Sequence, residues 1–268
     1  MIKPKYIDWI IEEEKVFFED GHPLKCYILD YKIDETILDE WAVHIRRHYI
    51  SDKELEDSVS ILSISVEQYL REYVIPQKSD IYGAVSRSND ISEILFSDLL
   101  EFVFGFTVPR CKQQARSGKT LSEHGTDIIA YKFSRADNKP NRKDRLLATE
   151  VKAQLTSETA DVIKSAVKDS TKDEQRFAHT LDYYRKKLKQ LGNEQQALEI
   201  ARFQQKPEYD YEIEYVSAAI SSKEKIEDNI LLGITGEGLS LKKNQEVFYI
   251  HGKKLMELVH NVYERCIK

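Results

Sequence analysis

Two segments of this chain alternate like strands and yet place charge where a strand should be apolar. "GTDIIAYKF" puts Asp127 directly ahead of Ile128, Ile129 and Ala130, and "RLLATEVKAQL" sets Glu150 and Lys152 on either side of Val151. Successive side chains of a strand point to opposite faces, so Glu150 and Lys152 share a face while Val151 takes the other. The spacer between the segments, "SRADNKPNRKD", is polar and rich in turn-forming residues, which makes the pair a candidate antiparallel hairpin. Pairing across that spacer brings Asp127 within reach of Glu150. An ionised group on a buried face costs several kcal/mol unless it is partnered. The chain must therefore fold so that this face meets a counter-charge, a bound ion or a cleft.

The surrounding elements frame such a hairpin. "LKCYILDYKI" reads as a strand and "DETILDEWAVHIRRHYI" as an amphipathic helix opening at an acidic cap. "SDKELEDSVSILSISVEQYLREYVI" continues as a helix from Ser51 and stops before Pro76. "PQKSDIYG" breaks the periodicity and divides an N-terminal mixed α/β unit, 1–78, from a larger domain, 79–268. In that domain "NDISEILFSDLLEFVFG" is a helix closed by Gly105, and "FTVP" is a short strand. After the hairpin comes a charged helical zone from about residue 157 to 205. "YEIEYVSAAIS" and "EVFYIHG" are later strands, with "GITGEGLS" as a turn between them, and "KKLMELVHNVYERCI" is a closing helix. This order predicts an α/β (α+β) fold, a sheet flanked by helices.

Composition excludes more than it selects. The apolar runs are too short for a membrane span, and acids interrupt the apolar N-terminus where a signal peptide would tolerate none. Three scattered cysteines suit free thiols in a reducing cytoplasm. A net charge of −6 argues for no nucleic-acid role by itself, so any such role needs a local basic surface. "SGKT" at 117–120 is no phosphate-binding loop, because Gln113 stands where that motif needs glycine. "HIRRH" spaces His44 and His48 like helical zinc ligands, but Ile45 replaces the glutamate of a zinc protease. The pair is read as two histidines on an exposed helix face.

The hairpin is the constellation with chemistry. Carboxylates about 4–5 Å apart on neighbouring strands repel unless a divalent cation lies between them. Hard oxygen donors select Mg²⁺ or Mn²⁺ over zinc. A lysine beside such an ion can stabilise developing charge or orient water.

Asp127 followed by Glu150-Val151-Lys152 on a second strand resembles the active-site pattern of the PD-(D/E)xK nuclease superfamily. Glu93, in the preceding helix, is the position matching the extra acid that many members carry there. Thr126 replaces the usual proline. The longer context, "SEILFSDLLEFVFGF", "GTDIIAYKF" and "EVKAQLTS", resembles the HamA-like subunit of Hachiman antiphage systems over most of the chain. That resemblance implies a restriction-endonuclease-like mixed sheet and a bacterial cytoplasmic nuclease effector that hydrolyses DNA. Asp127, Glu150 and Glu93 would hold Mg²⁺ or Mn²⁺, and Lys152 would position water. It further implies a superfamily 2 helicase partner that restrains the nuclease. Two alternatives stay open: a catalytically silent nuclease-fold module that regulates a helicase, and an RNase using the same site.

Local alternatives exist for each residue. Asp90-Ile91-Ser92-Glu93 has capping-box spacing, Glu150 and Lys152 could protect a sheet edge, and Asp127 could open a turn after Gly125. Lys164, Lys168, Lys172 and Arg176 recur at i+4 steps; on one helix they form either a phosphate-contacting ladder or a solvated face paired with Asp169, Asp173 and Glu174. Arg142 and Lys143, with Arg135, Lys139 and Arg145, make a second basic cluster for DNA or the helicase.

Overall fold

The computed structural model describes residues 2–123, 125–137, 139–156, 162–205, 211–223, 241–242 and 244–268. Its sheet has seven strands: β1 (Ile10–Glu12), β2 (Val16–Phe17), β3 (Pro23–Leu29), β4 (Ile128–Lys132), β5 (Arg145–Gln154), β6 (Glu212–Ser221) and β7 (Gln245–His251). The order is β1-β3-β7-β6-β5-β4, with β2 also on β3. β3, β7, β6 and β5 run parallel, while β4, β1 and β2 pair antiparallel at the edges. Strands from both sides of residue 78 thus share one sheet. β5 is covered on both faces and between two neighbours, which is why "LLATEV" reads as a nearly unbroken apolar run.

Helices layer both faces. α1 (Glu35–Tyr49), α4 (Gly83–Phe102) and α8 (Leu255–Arg265) bury Trp41, Ile45, Ile94, Leu95, Leu258 and Val262 against Ile128, Leu147, Val151, Ala218 and Ile250. On the other face α6 (Asp173–Gln190) and α7 (Glu194–Gln204) cover Ile129, Leu146 and Ala148. Beside them α5 (Val162–Ser170) packs Val162, Ile163 and Val167 on Ala219, Val247 and Tyr249. The odd and even positions of the hairpin therefore feed different cores, as strand alternation requires. Cys26, Cys111 and Cys266 are free and buried.

Several boundaries differ from the sequence expectation for identifiable reasons. The stretch after Ser51 divides at Ser63, whose left-handed backbone (φ 54°) separates α2 (Asp52–Leu62) from α3 (Val66–Tyr69) and a π turn over Leu70–Val74. α4 starts at Gly83, before the apolar periodicity begins. A side chain there would stand 1.8 Å from the Gln77 carbonyl oxygen, so only glycine lets the turn close on the helix start. "FTVP" shrinks to one bridge, Thr107 with Tyr131. The helical zone breaks at Thr171–Lys172 and again at Gly192 (φ 77°), giving three helices. "GITGEGLS" lies outside the described residues. Among the described residues no helix is long and apolar enough to cross a membrane.

Candidate active site

The β4–β5 register pairs Ile128 with Thr149 and Lys132 with Arg145. Continued by one residue, it sets Asp127 opposite Glu150. Asp127 Oδ2 accepts the backbone N–H of Val151 at 2.9 Å, and the Tyr184 hydroxyl donates to the Asp127 carbonyl at 2.9 Å. The aspartate thus ties the two strands together rather than closing a local turn. Glu150 is 6% exposed on a strand between two neighbours, which removes the edge-protection alternative. Lys152 Nζ lies 2.8 Å from Glu150 Oε1 and 2.8 Å from Asp169 Oδ2 on α5.

Glu93 is buried in the middle of α4, so the capping-box alternative also falls. It meets the hairpin through Lys112, in the segment after α4. Lys112 Nζ is 2.9 Å from Asp127 Oδ1 and 3.7 Å from Glu93 Oε1. Gln113 Nε2 donates to Glu93 Oε2 at 3.1 Å. On the hairpin's other side Asp173, the first residue of α6, is fully buried. Its Oδ1 accepts the Thr126 hydroxyl at 2.9 Å, and its Oδ2 has no hydrogen-bond partner.

Burial dominates the electrostatics. It pushes the Glu150 carboxyl up to about 7, with Asp127 adding to the rise and Lys152 opposing it. It raises Glu93 as well, against the pull of Lys112. Asp173 goes up to about 6, again mainly by burial, with the Thr126 hydrogen bond holding it back. Burial works against the Lys112 ammonium, but Glu93 and Asp127 outweigh it and keep the charge in place. For Lys152 burial likewise opposes the charge, and Asp169 and Glu150 prevail. Carboxyls that raise one another's pKa around Asp127 are what a divalent cation relieves. The donors are hard oxygens, and one of them, Asp173 Oδ2, is buried and unpartnered. Hard oxygens of this kind are what Mg²⁺ or Mn²⁺ takes, but among the described residues these carboxylates are not drawn together into a ready three-ligand group.

A second polar cluster lies two residues earlier in the same segment, at Arg110. His44 Nε2 is 2.8 Å from Asp98 Oδ2, and Arg110 reaches Asp98 Oδ1 at 2.7 Å and Glu101 Oε2 at 2.8 Å. Arg110 also stands 3.2 Å from His48 Nε2, while His48 Nδ1 faces the His44 carbonyl at 2.9 Å. The Tyr6 hydroxyl completes the shell of Asp98. The ligand atoms of His44, His48 and Asp98 all lie within 4.8 Å of one another, so this group could hold a metal ion. Each of those atoms is already engaged. The expectation of exposed histidines is corrected: His48 is 3% exposed, enclosed between α1, α4 and Arg110. Its ring is pushed down to about 3 by burial and by Arg110, whereas Asp98, despite its burial, is held down at about 2 by Arg110 and His44.

The basic residues are spread apart. Lys164 and Lys168 belong to α5, Lys172 pairs with Asp169 in the break, and Arg176 on α6 is 3.5 Å from Asp173. They do not share one helix. Arg142 and Lys143 are exposed in the turn at the far end of the hairpin, beyond the strand from Arg145 to Glu150, which by itself spans about 17 Å. Three residues of the site lay outside the sequence pattern. Lys112 belongs to no motif, and Asp169 and Asp173 entered only as partners of the basic stripe. Their i, i+4 spacing across the helix break was the available signal.

A mostly parallel mixed sheet with helices on both faces, carrying acids and a lysine on an antiparallel hairpin, defines an α/β protein organised around a buried charged site. A family model for HamA matches residues 4–266, and the chain belongs to the HamA family, a component of Hachiman defence systems. A search of curated proteins finds no match.

Proposed function

We propose that the chain is the metal-dependent nuclease effector of its defence system, hydrolysing DNA phosphodiester bonds under the control of a partner helicase. The observation carrying this reading is the pairing of Asp127 and Glu150 on adjacent strands, with the Lys152 ammonium 2.8 Å from Glu150. Asp127, Glu150 and Glu93 would hold Mg²⁺ or Mn²⁺, with Asp173 beside them. When bound, such an ion lowers the pKa of a coordinated water and polarises a phosphoryl oxygen. The protein's share is positional. The Val151 N–H fixes Asp127 Oδ2, leaving Oδ1 on the side of Lys112 and Glu93. Asp169 and Glu150 hold Lys152 charged and pointed along the site, where it can orient water and offset charge on the phosphate. The raised carboxyl of Glu150 suits a group that exchanges a proton for a cation near neutral pH.

Purified chain, alone and with its helicase, is to be incubated with DNA and with RNA in Mg²⁺ or Mn²⁺. DNA cleavage that disappears in Glu150→Gln and Lys152→Ala supports the reading, while cleavage of RNA alone selects the RNase alternative. Undiminished cleavage by both variants would refute the assignment. Protein that cleaves neither and binds no Mn²⁺ is the silent module. The family further suggests a bacterial cytoplasmic setting, and the break in periodicity at "PQKSDIYG" suggests a division near residue 78, to be sought by limited proteolysis.

A further inference from the structure

We infer that Lys112 is a built-in counter-cation of this site, standing between Glu93 and Asp127 and having to swing out before a divalent ion can bridge them. The inference rests on the metal-site reading above. Its ground is geometric. The ammonium is 2.9 Å from Asp127 Oδ1 and 3.7 Å from Glu93 Oε1, and the side chain is 4% exposed. A magnesium ion sits about 2.0–2.1 Å from its oxygens, so an ion shared by these two carboxylates falls in the volume the ammonium fills. The free space lined by Glu93, Lys112, Gln113, Asp127 and Tyr184 is about 10 Å³, room for no more than about one water. Two cations cannot share it, on steric or on Coulombic grounds.

The rest of the segment shows which part can move. Arg110 is bound to Asp98 and Glu101, and Arg116 grips Asp90 with both nitrogens at 2.8 and 2.7 Å. Lys187 donates to the Ala115 carbonyl at 3.0 Å. The backbone is pinned on both sides of Lys112, so the mobile element is its four-carbon stem. Lysine is suited to the role, being a point charge on a flexible chain with no fixed bidentate geometry. Lys152 on Glu150 and Lys112 on Asp127 offset part of the acids' charge from within, and one oxygen of Asp173 still has no donor.

The test is Mn²⁺ binding to the full chain, measured by calorimetry and by electron paramagnetic resonance. Lys112→Gln is expected to bind about tenfold more tightly than the parent chain, within the usual range for coupled sites. That gain is expected to vanish in Lys112→Gln/Asp127→Asn. A folded Lys112→Gln that binds equally or more weakly overturns the inference. A second measurement uses the unaltered chain, so it does not depend on the variant folding. Amine acylation read by mass spectrometry should find Lys112 protected without metal and several-fold more reactive at saturating Mn²⁺, with exposed Lys139 as reference. Unchanged Lys112 labelling overturns the inference. Loss of affinity in Asp127→Asn without any gain in Lys112→Gln refutes the counter-cation alone. Affinity indifferent to both Asp127 and Glu150 removes the metal site and this inference with it.

Discussion

The segment after α4 serves two polar clusters only two residues apart, and they obey opposite electrostatics. At Arg110 the charges close on themselves: Asp98 has Arg110, His44 and Tyr6, and its carboxyl is held at about 2. At Lys112 the acids outnumber their partners: Glu150 rises to about 7, Asp173 to about 6, and one oxygen of Asp173 has no donor. Burial is comparable in both, so burial does not separate them. The separation comes from satisfaction. A fully partnered buried charge is a structural interlock, whereas carboxyls left raised in one place are poised for a ligand or for a proton.

If that contrast is right, the largest loss of stability belongs to the Arg110 cluster. Asp98→Ala takes from Arg110, His44 and Tyr6 the carboxylate they share, leaves Arg110 with Glu101 alone, and is expected to cost about 3 kcal/mol, read as a fall in the urea midpoint. The folded fraction should keep its Mn²⁺ affinity. Next comes Lys152→Ala, which should leave the urea midpoint nearly unmoved but lower DNA cleavage by about 10²–10³. If the two outcomes were exchanged, with Asp98→Ala losing chemistry and Lys152→Ala losing fold, the comparison would be inverted.

The pH response sharpens the same contrast with opposite signs. Asp98 sits at about 2 when folded, against about 3.9 unfolded. Its contribution is complete above about pH 4 and is lost as the pH falls through 2. Glu150 sits at about 7 when folded, against about 4.3 unfolded. The folded state holds that proton more tightly, so the metal-free chain loses stability as the pH climbs from about 4 to 7. Glu150→Gln should reduce this slope, leaving the part due to Asp173 and Glu93, and be more stable than the parent at pH 8 by about 1–3 kcal/mol. Urea melts across pH 4–8 in chelator check it, and a Glu150→Gln chain less stable at pH 8 would refute it.

How much of this was legible in the sequence depended on whether a contact is local. The hairpin was readable because alternation and one turn determine the register, and Asp127 meets Glu150 at the position that register requires. Glu93 was findable only through family likeness, since Asp90-Ile91-Ser92-Glu93 also spells a cap. What dissolves the cap is Gly83 at its approach to Gln77, which starts α4 seven residues before Asp90. Lys112 and Asp173 were not legible. Each meets Asp127 from a segment with its own logic, an irregular stretch for one and a helix start for the other. The histidine pair was misjudged because their neighbour Arg110 is sixty-odd residues away in the chain, and no period announces it.

The smallest expected effect concerns charge that is neither closed nor poised, the exposed basic residues. Lys168 lies on α5, one residue from Asp169, which pairs with Lys152. Arg142 lies at the opposite end of the hairpin. If DNA approaches along α5 toward Lys152, Lys168→Ala should weaken binding only few-fold at low salt and reduce the slope of log K against log salt by about one. Arg142→Ala should change neither, because DNA on that path meets α5 at the end of the hairpin away from Arg142. Fluorescence anisotropy over a salt series, in chelator so that any metal-dependent cleavage is withheld, measures both slopes. A larger change for Arg142→Ala than for Lys168→Ala would move the DNA path to the hairpin tip and leave α5 to another partner. Either result stays independent of the two buried clusters, because surface charges screened by salt do not alter the pairing of Asp98 or of Asp127.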